Sequence, residues 1–327
     1  MANNIVTIPS IVQRDFVWSF KPIIYVMRMM GIELNVLEKH SMFRRIALLL
    51  FGVSIFLCTE TAFFYQIHFA VEKAKLNTLD KTLKFQLNVG GIIFIAYPIV
   101  AFSSALFKWK PVWKKLRKME EDLRCPPAFY RKQRQVLIAL LTPFLISVPA
   151  IVEKKMANNY LLPFFFPQSI LHPVFRIQHF TREGWVLLAA VLFQNFYINS
   201  FVVLFVSLTC LVSMSIQSNI EDVQCCSKIP YEISTQITKW KQSYASIYRL
   251  INEMDNFFGP ILINYFLGVF YYFIFLPIEI LEPEAFQSDA QLVNAGKVLR
   301  ILQEFFSLSL VVFSTEKMKE KVSPSSK

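Results

Sequence analysis

Residues 251–273 read INEMDNFFGPILINYFLGVFYYF. Glu253 and Asp255 fall at its start, and no further charge appears before Glu279. A segment that begins wet and continues apolar reads as one helix passing from water into hydrocarbon, with Gly259-Pro260 marking the entry. Upstream, Ile233, Ile237, Trp240, Tyr244, Ile247, Ile251, Met254 and Phe258 recur at alternating spacings of four and three. That is a 3.5-residue seam, the pattern of a helix gripping another helix along one stripe. Thr235, Lys239, Lys241, Ser243 and Arg249 lie off the seam, and Pro230 stands where proline is tolerated in a first turn. Such a helix either folds back on its own chain or joins an oligomerisation core beneath a membrane, and one helix can serve both. Pro260 deletes a backbone donor, which predicts a kink with the freed carbonyl satisfied by a neighbouring helix.

Composition extends this reading to the whole chain. Of 327 residues 54% are hydrophobic and only 17% charged, against roughly a quarter charged in soluble domains. The mean hydropathy is positive. The expected fold is therefore all-α, a polytopic helical membrane protein. Six spans of about 20 residues are predicted near Ile46–Phe69, Phe85–Phe107, Val136–Val152, Trp185–Val212, Phe257–Ile280 and Val298–Phe313. The sixth contains Arg300 and Glu304, one turn apart and able to pair. Between spans two and three, residues 108–134 hold ten Lys and Arg, whereas 279–296 hold four acids and no base. The positive-inside rule then puts the N-terminus in the cytoplasm, although Lys73, Lys75, Lys81 and Lys84 argue the other way.

The resulting plan has a cytoplasmic segment 1–45, helices 1–4 over 46–224 with a basic loop 108–135, a cytoplasmic heptad helix 225–258, helices 5–6 over 259–313, and a cytoplasmic tail 314–327. Helices 4 and 5 are expected to extend into a cytoplasmic anchor bundle. The net charge of +11 sets topology in this reading; no zinc, helix-turn-helix or RNA-binding signature points to nucleic acid.

Candidate ligand contacts are polar and aromatic residues in the outer halves of the spans. These are Asn88, Tyr97, Gln194, Asn195, Tyr197, Tyr271 and Tyr272, because apolar pockets fix ligand orientation through a few such groups. For any one of them, helix-to-helix hydrogen bonding is the more common role. Glu60 is an acid within span one and a functional candidate on that ground. His68, His172 and His179 stand apart, and the five cysteines show no metal-ligand spacing, so neither metal nor cofactor is expected. No P-loop, G-x-S-x-G, H-E-x-x-H or dinucleotide fingerprint occurs, which argues against an enzyme. A multi-span transporter would carry inverted repeats with interrupted helices, and no repeat is evident.

Two stretches resemble the arthropod gustatory receptors of the insect-type chemoreceptor superfamily. One is YASIYRLINEMDNFFGPILINYF at 244–266, with Ile251, Asn252, Phe258 and Gly259 carrying the likeness; the other is FVWSFKPIIYVMRMMGIELN at 16–35. The resemblance implies a plasma-membrane taste or odour receptor whose small-molecule ligand enters from outside. It further implies a ligand-gated cation channel assembled as a homo- or hetero-tetramer. The anchor through which such subunits meet would then use Ile237, Trp240, Tyr244, Ile247, Ile251, Met254 and Phe258. The family's final pore helix carries a Thr-Tyr-(apolar)5-Gln-Phe signature, which has no counterpart here. The expectation is accordingly a truncated or alternatively spliced product, an incomplete gene model, or a divergent non-conducting, regulatory member.

Overall fold

The computed structural model describes residues 15–30, 32, 81–123, 128–141, 182–226, 233–281 and 290–322, together with scattered helical residues between 43 and 61. At 81–91, 182–196 and 290–300 it describes the backbone alone. Among the described residues every regular element is a helix, as the sequence predicts. We label them α1 (Phe16–Met29), α2 (Lys81–Leu123), α3 (Arg182–Cys226), α4 (Ile233–Leu281) and α5 (Ala290–Val322). Residues 128–141 are also helical.

The helices are long because apolar seams run through the positions where spans were expected to stop. α2 does not end at Phe107: Trp109, Val112, Trp113, Leu116 and Met119 continue at helical spacing and are buried. The expected basic loop is thus helical from 108 to 123 and again from 128, with its lysines on the faces that the seam leaves open. Likewise α4 crosses the expected boundary at 258–259 without a break, and its 49 residues span roughly 73 Å.

α2 and α4 form an antiparallel pair of constant register. Ile93 Cγ2 lies where a Cβ on Gly268 would meet it at 3.7 Å. Lower down, Lys108 reaches Asn256, and lower still Asp122 receives Gln242, Ser243 and Ser246. From Ile93 to Asp122 this contact runs about 43 Å.

α3 is the central post. Phe201, Val202, Val203, Leu204, Leu208, Leu211 and Val212 are all buried, on every side of the helix, and α1, α2, α4 and α5 surround it. Among the described residues one stretch, Tyr197–Glu221, is long and apolar enough to cross a membrane, and most of it is enclosed by protein.

The N-terminal segment is built into this core. Asp15 caps α1 by accepting from Trp18 N at 2.8 Å. Arg117 bridges Asp15 at 3.3 Å and Glu120 at 2.6 Å, while Phe16 N donates to Glu120 Oε1 at 2.8 Å. Phe16, Phe20, Ile23 and Met27 then fill the space between Phe129, Tyr130 and α3.

Candidate functional site

The site begins where Pro260 interrupts the backbone ladder of α4. A proline at 260 has no N–H for the carbonyl of Asn256, four residues earlier. Lys108 supplies the missing donor, with Nζ at 3.2 Å from that carbonyl. One turn on, Asn264 Nδ2 donates to the Pro260 carbonyl at 2.9 Å. The helix therefore continues through Gly259-Pro260.

Around this turn the aromatic side chains of three helices interlock. Trp109 of α2 meets Phe257 of α4 at 5.2 Å and Trp113 at 6.0 Å between centroids. Phe257 meets Phe201 of α3 at 6.3 Å, and Phe258 meets Phe205 at 5.1 Å. Phe257 and Phe258 pack edge to face at 4.6 Å. Such tilted and edge-on pairs lie in the favourable range for aromatic contacts, and Phe257 is fully buried. The knot locks the three helices at one level.

On the Tyr265 side of the knot lies a group of polar side chains in an otherwise apolar interior. Tyr97 of α2 is buried and donates its hydroxyl to the Ile198 carbonyl at 3.4 Å. Tyr197 is buried beside Phe201, ring centroids 5.4 Å apart. Tyr265 of α4 is buried against Phe266, and Glu304 of α5 is only 3% exposed. Tyr97 interacts electrostatically with Tyr265 and Glu304, and Tyr197 with Tyr97 and Glu60. Glu60, in the helical residues ending at 61, is half-buried, and its Oε2 is shielded from solvent. Three phenols and two carboxyls from five stretches of chain thus share one region. Buried hydroxyls and carboxyls of this kind hydrogen-bond between helices, and where such groups line an apolar pocket they fix the orientation of a bound molecule.

Of the predicted contacts, Tyr97 and Tyr197 are brought together here, and Tyr271 is half-buried six residues beyond Tyr265 on α4. Asn88, Gln194, Asn195 and Tyr272 are helical, and their side chains lie outside the described residues. His68, His172 and His179 also lie outside them. Sequence reasoning missed Tyr265 and treated Glu304 as half of an ion pair with Arg300, whose side chain is likewise outside the described part. The missed signal was register: Tyr265 follows Phe258 by seven residues and Ile261 by four, continuing the seam past the proline.

Below the knot the seam is only partly covered by the chain's own helices. Ile247, Met254 and Phe258 are buried and Ile251 is half-buried, all against the chain's own helices. Ile237, however, is 44% exposed, and Trp240 and Tyr244 are only half-buried. At that end the buried face carries Ser243 and Ser246 instead, because Asp122 offers them acceptors. Trp240 stacks on Tyr244 at 5.7 Å, and Tyr244 donates to the Val322 carbonyl at 3.4 Å. Asn252 is exposed, and a Cβ on Gly259 would meet nothing within 4 Å among the described residues.

Among the described residues no group of three or more His, Cys, Asp or Glu is placed to hold a metal. Compared with known proteins, the chain matches no family model and no curated sequence.

Proposed function

We propose that the chain is a chemosensory receptor subunit of the plasma membrane, which spans the bilayer six times and detects a small external ligand. The observation that carries this reading is the group Glu60, Tyr97, Tyr197, Tyr265 and Glu304, held directly next to an aromatic knot on helices that continue well past it. Acids inside a membrane face protein and mark function. The likeness of residues 244–266 and 16–35 to gustatory receptors supports the same class and, with it, a ligand-gated cation channel built from several subunits. Large exposed apolar residues support the bilayer: Ile92, Ile99 and Phe107 on α2, Ile263, Leu267 and Phe270 on α4, and Leu302, Phe305 and Phe313 on α5. A soluble bundle would hide side chains of that size.

Two experiments test the proposal. Epitope tags at both termini are expected to stain only after permeabilisation; surface staining of the N-terminus rejects the topology. In cells expressing the chain, a panel of sugars, alkaloids, amines and acids should elicit calcium entry. Glu304→Gln and Tyr97→Phe should shift the dose–response while surface expression holds. Unchanged responses in both variants would remove the site from the reading.

A further inference from the structure

The outward face of α2 changes chemistry within one turn. Ile92, Ile99 and Phe107 are exposed on it, Phe107 by 79%, and immediately beyond come Lys108, Lys110, Lys114 and Lys118, all exposed. Phe107 and Lys114 are seven residues apart and so lie on the same side, two turns from one another. The opposite side is the buried seam of Trp109, Val112, Trp113, Leu116 and Met119.

α4 and α5 make the same apolar-to-polar change, but into bands of mixed sign. On α4 the exposed residues become Arg249, Asn252 and Asp255; on α5 they become Glu316, Lys317, Lys319 and Glu320. The Lys108–Asn256 contact sets the change on α2 and α4 at one level. Of these three helices α2 has the cationic band, with no acid between Lys108 and Glu120, and the helical residues 128–141 add exposed Arg131 and Lys132. The acids that follow are largely engaged: Glu120 by Arg117 and Phe16 N, and Asp122 by Gln242 and Ser246 of α4.

We infer that Lys110, Lys114 and Lys118 form a docking surface for acidic phospholipid headgroups of the leaflet in which Phe107 is seated. The inference rests on the membrane-spanning reading. With Phe107 at the edge of the hydrocarbon, Lys110 and Lys114 lie about 4 and 10 Å beyond it along the helix. A headgroup layer is roughly 5–7 Å thick on each side of the core, and a lysine reaches along the surface with its charge at the wet end. Lys118, about 6 Å further, lies roughly one Debye length beyond that layer. Phe107 in the acyl region and the lysine stripe below it match the two halves of one lipid. That pairing favours a bilayer lipid over a soluble polyanion, which would have no use for the phenylalanine.

The test uses the full chain in nanodiscs of equal parts phosphatidylcholine and phosphatidylserine, with native mass spectrometry counting the phosphatidylserine retained after delipidation. Lys110→Gln/Lys114→Gln/Lys118→Gln should lower retention at least roughly tenfold, the scale expected from juxtamembrane lysines acting together. Lys239→Gln/Lys241→Gln/Lys319→Gln removes the same charge from other exposed positions and should leave retention unchanged. Equal retention in the first variant, or equal loss in the second, overturns the inference. So does displacement of the lipid by millimolar inorganic phosphate, which would make the stripe a site for any free anion. Alkaline carbonate extraction separates this from the parent reading. A wild-type chain that leaves the membrane rejects both, whereas one that stays while the stripe variant keeps its lipid rejects the lipid surface alone.

Discussion

Lys108 donates from Nζ to the main-chain carbonyl of Asn256 at 3.2 Å, and Asn256 is the residue whose helical donor Pro260 removes. The two positions are 148 residues apart in the chain, yet each explains the other. A lysine at the apolar edge of α2 has somewhere to place its charge. A proline in the middle of a 49-residue helix need not break it.

This pairing predicts a coupling. Lys108→Met should cost at most about 1 kcal/mol, since the lysine is exposed and water can replace part of its bond. Pro260→Ala restores the backbone donor, so Lys108→Met should cost measurably less in the Pro260→Ala background. A double-mutant cycle on thermal unfolding in detergent reads the difference. Strict additivity would mean that the lysine has no part in supporting the proline turn.

How much of this was legible depends on what each element is made of. α4 announces itself in sequence because Ile247, Met254 and Phe258 are apolar and periodic, and all three are buried. The phase of the seam below Ile247 was not legible. Ser243 and Ser246 face the core there only because Asp122, more than 120 residues away, accepts their hydrogen bonds. A periodicity of apolar residues cannot register a serine buried by someone else's carboxylate. The extension of α2 was legible in Trp109, Val112, Trp113, Leu116 and Met119, but ten basic residues outweighed them and suggested a loop. In the site, tyrosines read as candidates one by one. That Tyr97, Tyr197, Tyr265 and Glu304 converge depends on the register between helices, which no local pattern carries.

The difference in burial along the seam sets a prediction for the anchor. Ile247 is 1% exposed and Ile237 is 44% exposed. Ile247→Glu buries an unpaired carboxylate and should prevent folding, seen as aggregation on size-exclusion chromatography. Ile237→Glu should leave the monomer fold and its melting temperature intact. If subunits meet through the lower end of α4, Ile237→Glu lowers the oligomer fraction on a native gel, and an unchanged gel confines α4 to packing within one chain.

Asp122 should matter out of proportion to its place at the end of α2. Its side chain accepts from Gln242 at 3.3 Å and from Ser246, and its carbonyl from Ser243 at 3.4 Å. Asp122→Ala leaves the buried Ser246 hydroxyl without that acceptor and should cost about 1–3 kcal/mol. Asp122→Asn keeps a carbonyl oxygen and should recover part of it. Equal loss in the two variants would show that charge, rather than acceptor geometry, holds the lower ends of α2 and α4 together.

Gly259 invites the opposite expectation from the one a glycine next to proline usually suggests. Glycine beside proline reads as a hinge, a residue kept for backbone freedom. Yet Gly259 is helical, and among the described residues a Cβ built on it meets no atom within 4 Å. Nothing in the packing requires the small side chain, while glycine inside a helix costs roughly 0.5–1 kcal/mol relative to alanine. Gly259→Ala should therefore raise the melting temperature, in contrast to Phe257→Ala next to it, which empties the centre of the aromatic knot and should cost about 3–5 kcal/mol. The informative comparison is between stability and response. If Gly259→Ala is more stable and responds to ligand as the wild type does, α4 transmits as a rigid rod through the proline turn, with Lys108 as its brace. If it is more stable and silent at normal surface expression, α4 has to bend at Gly259, and the rigid-rod account fails.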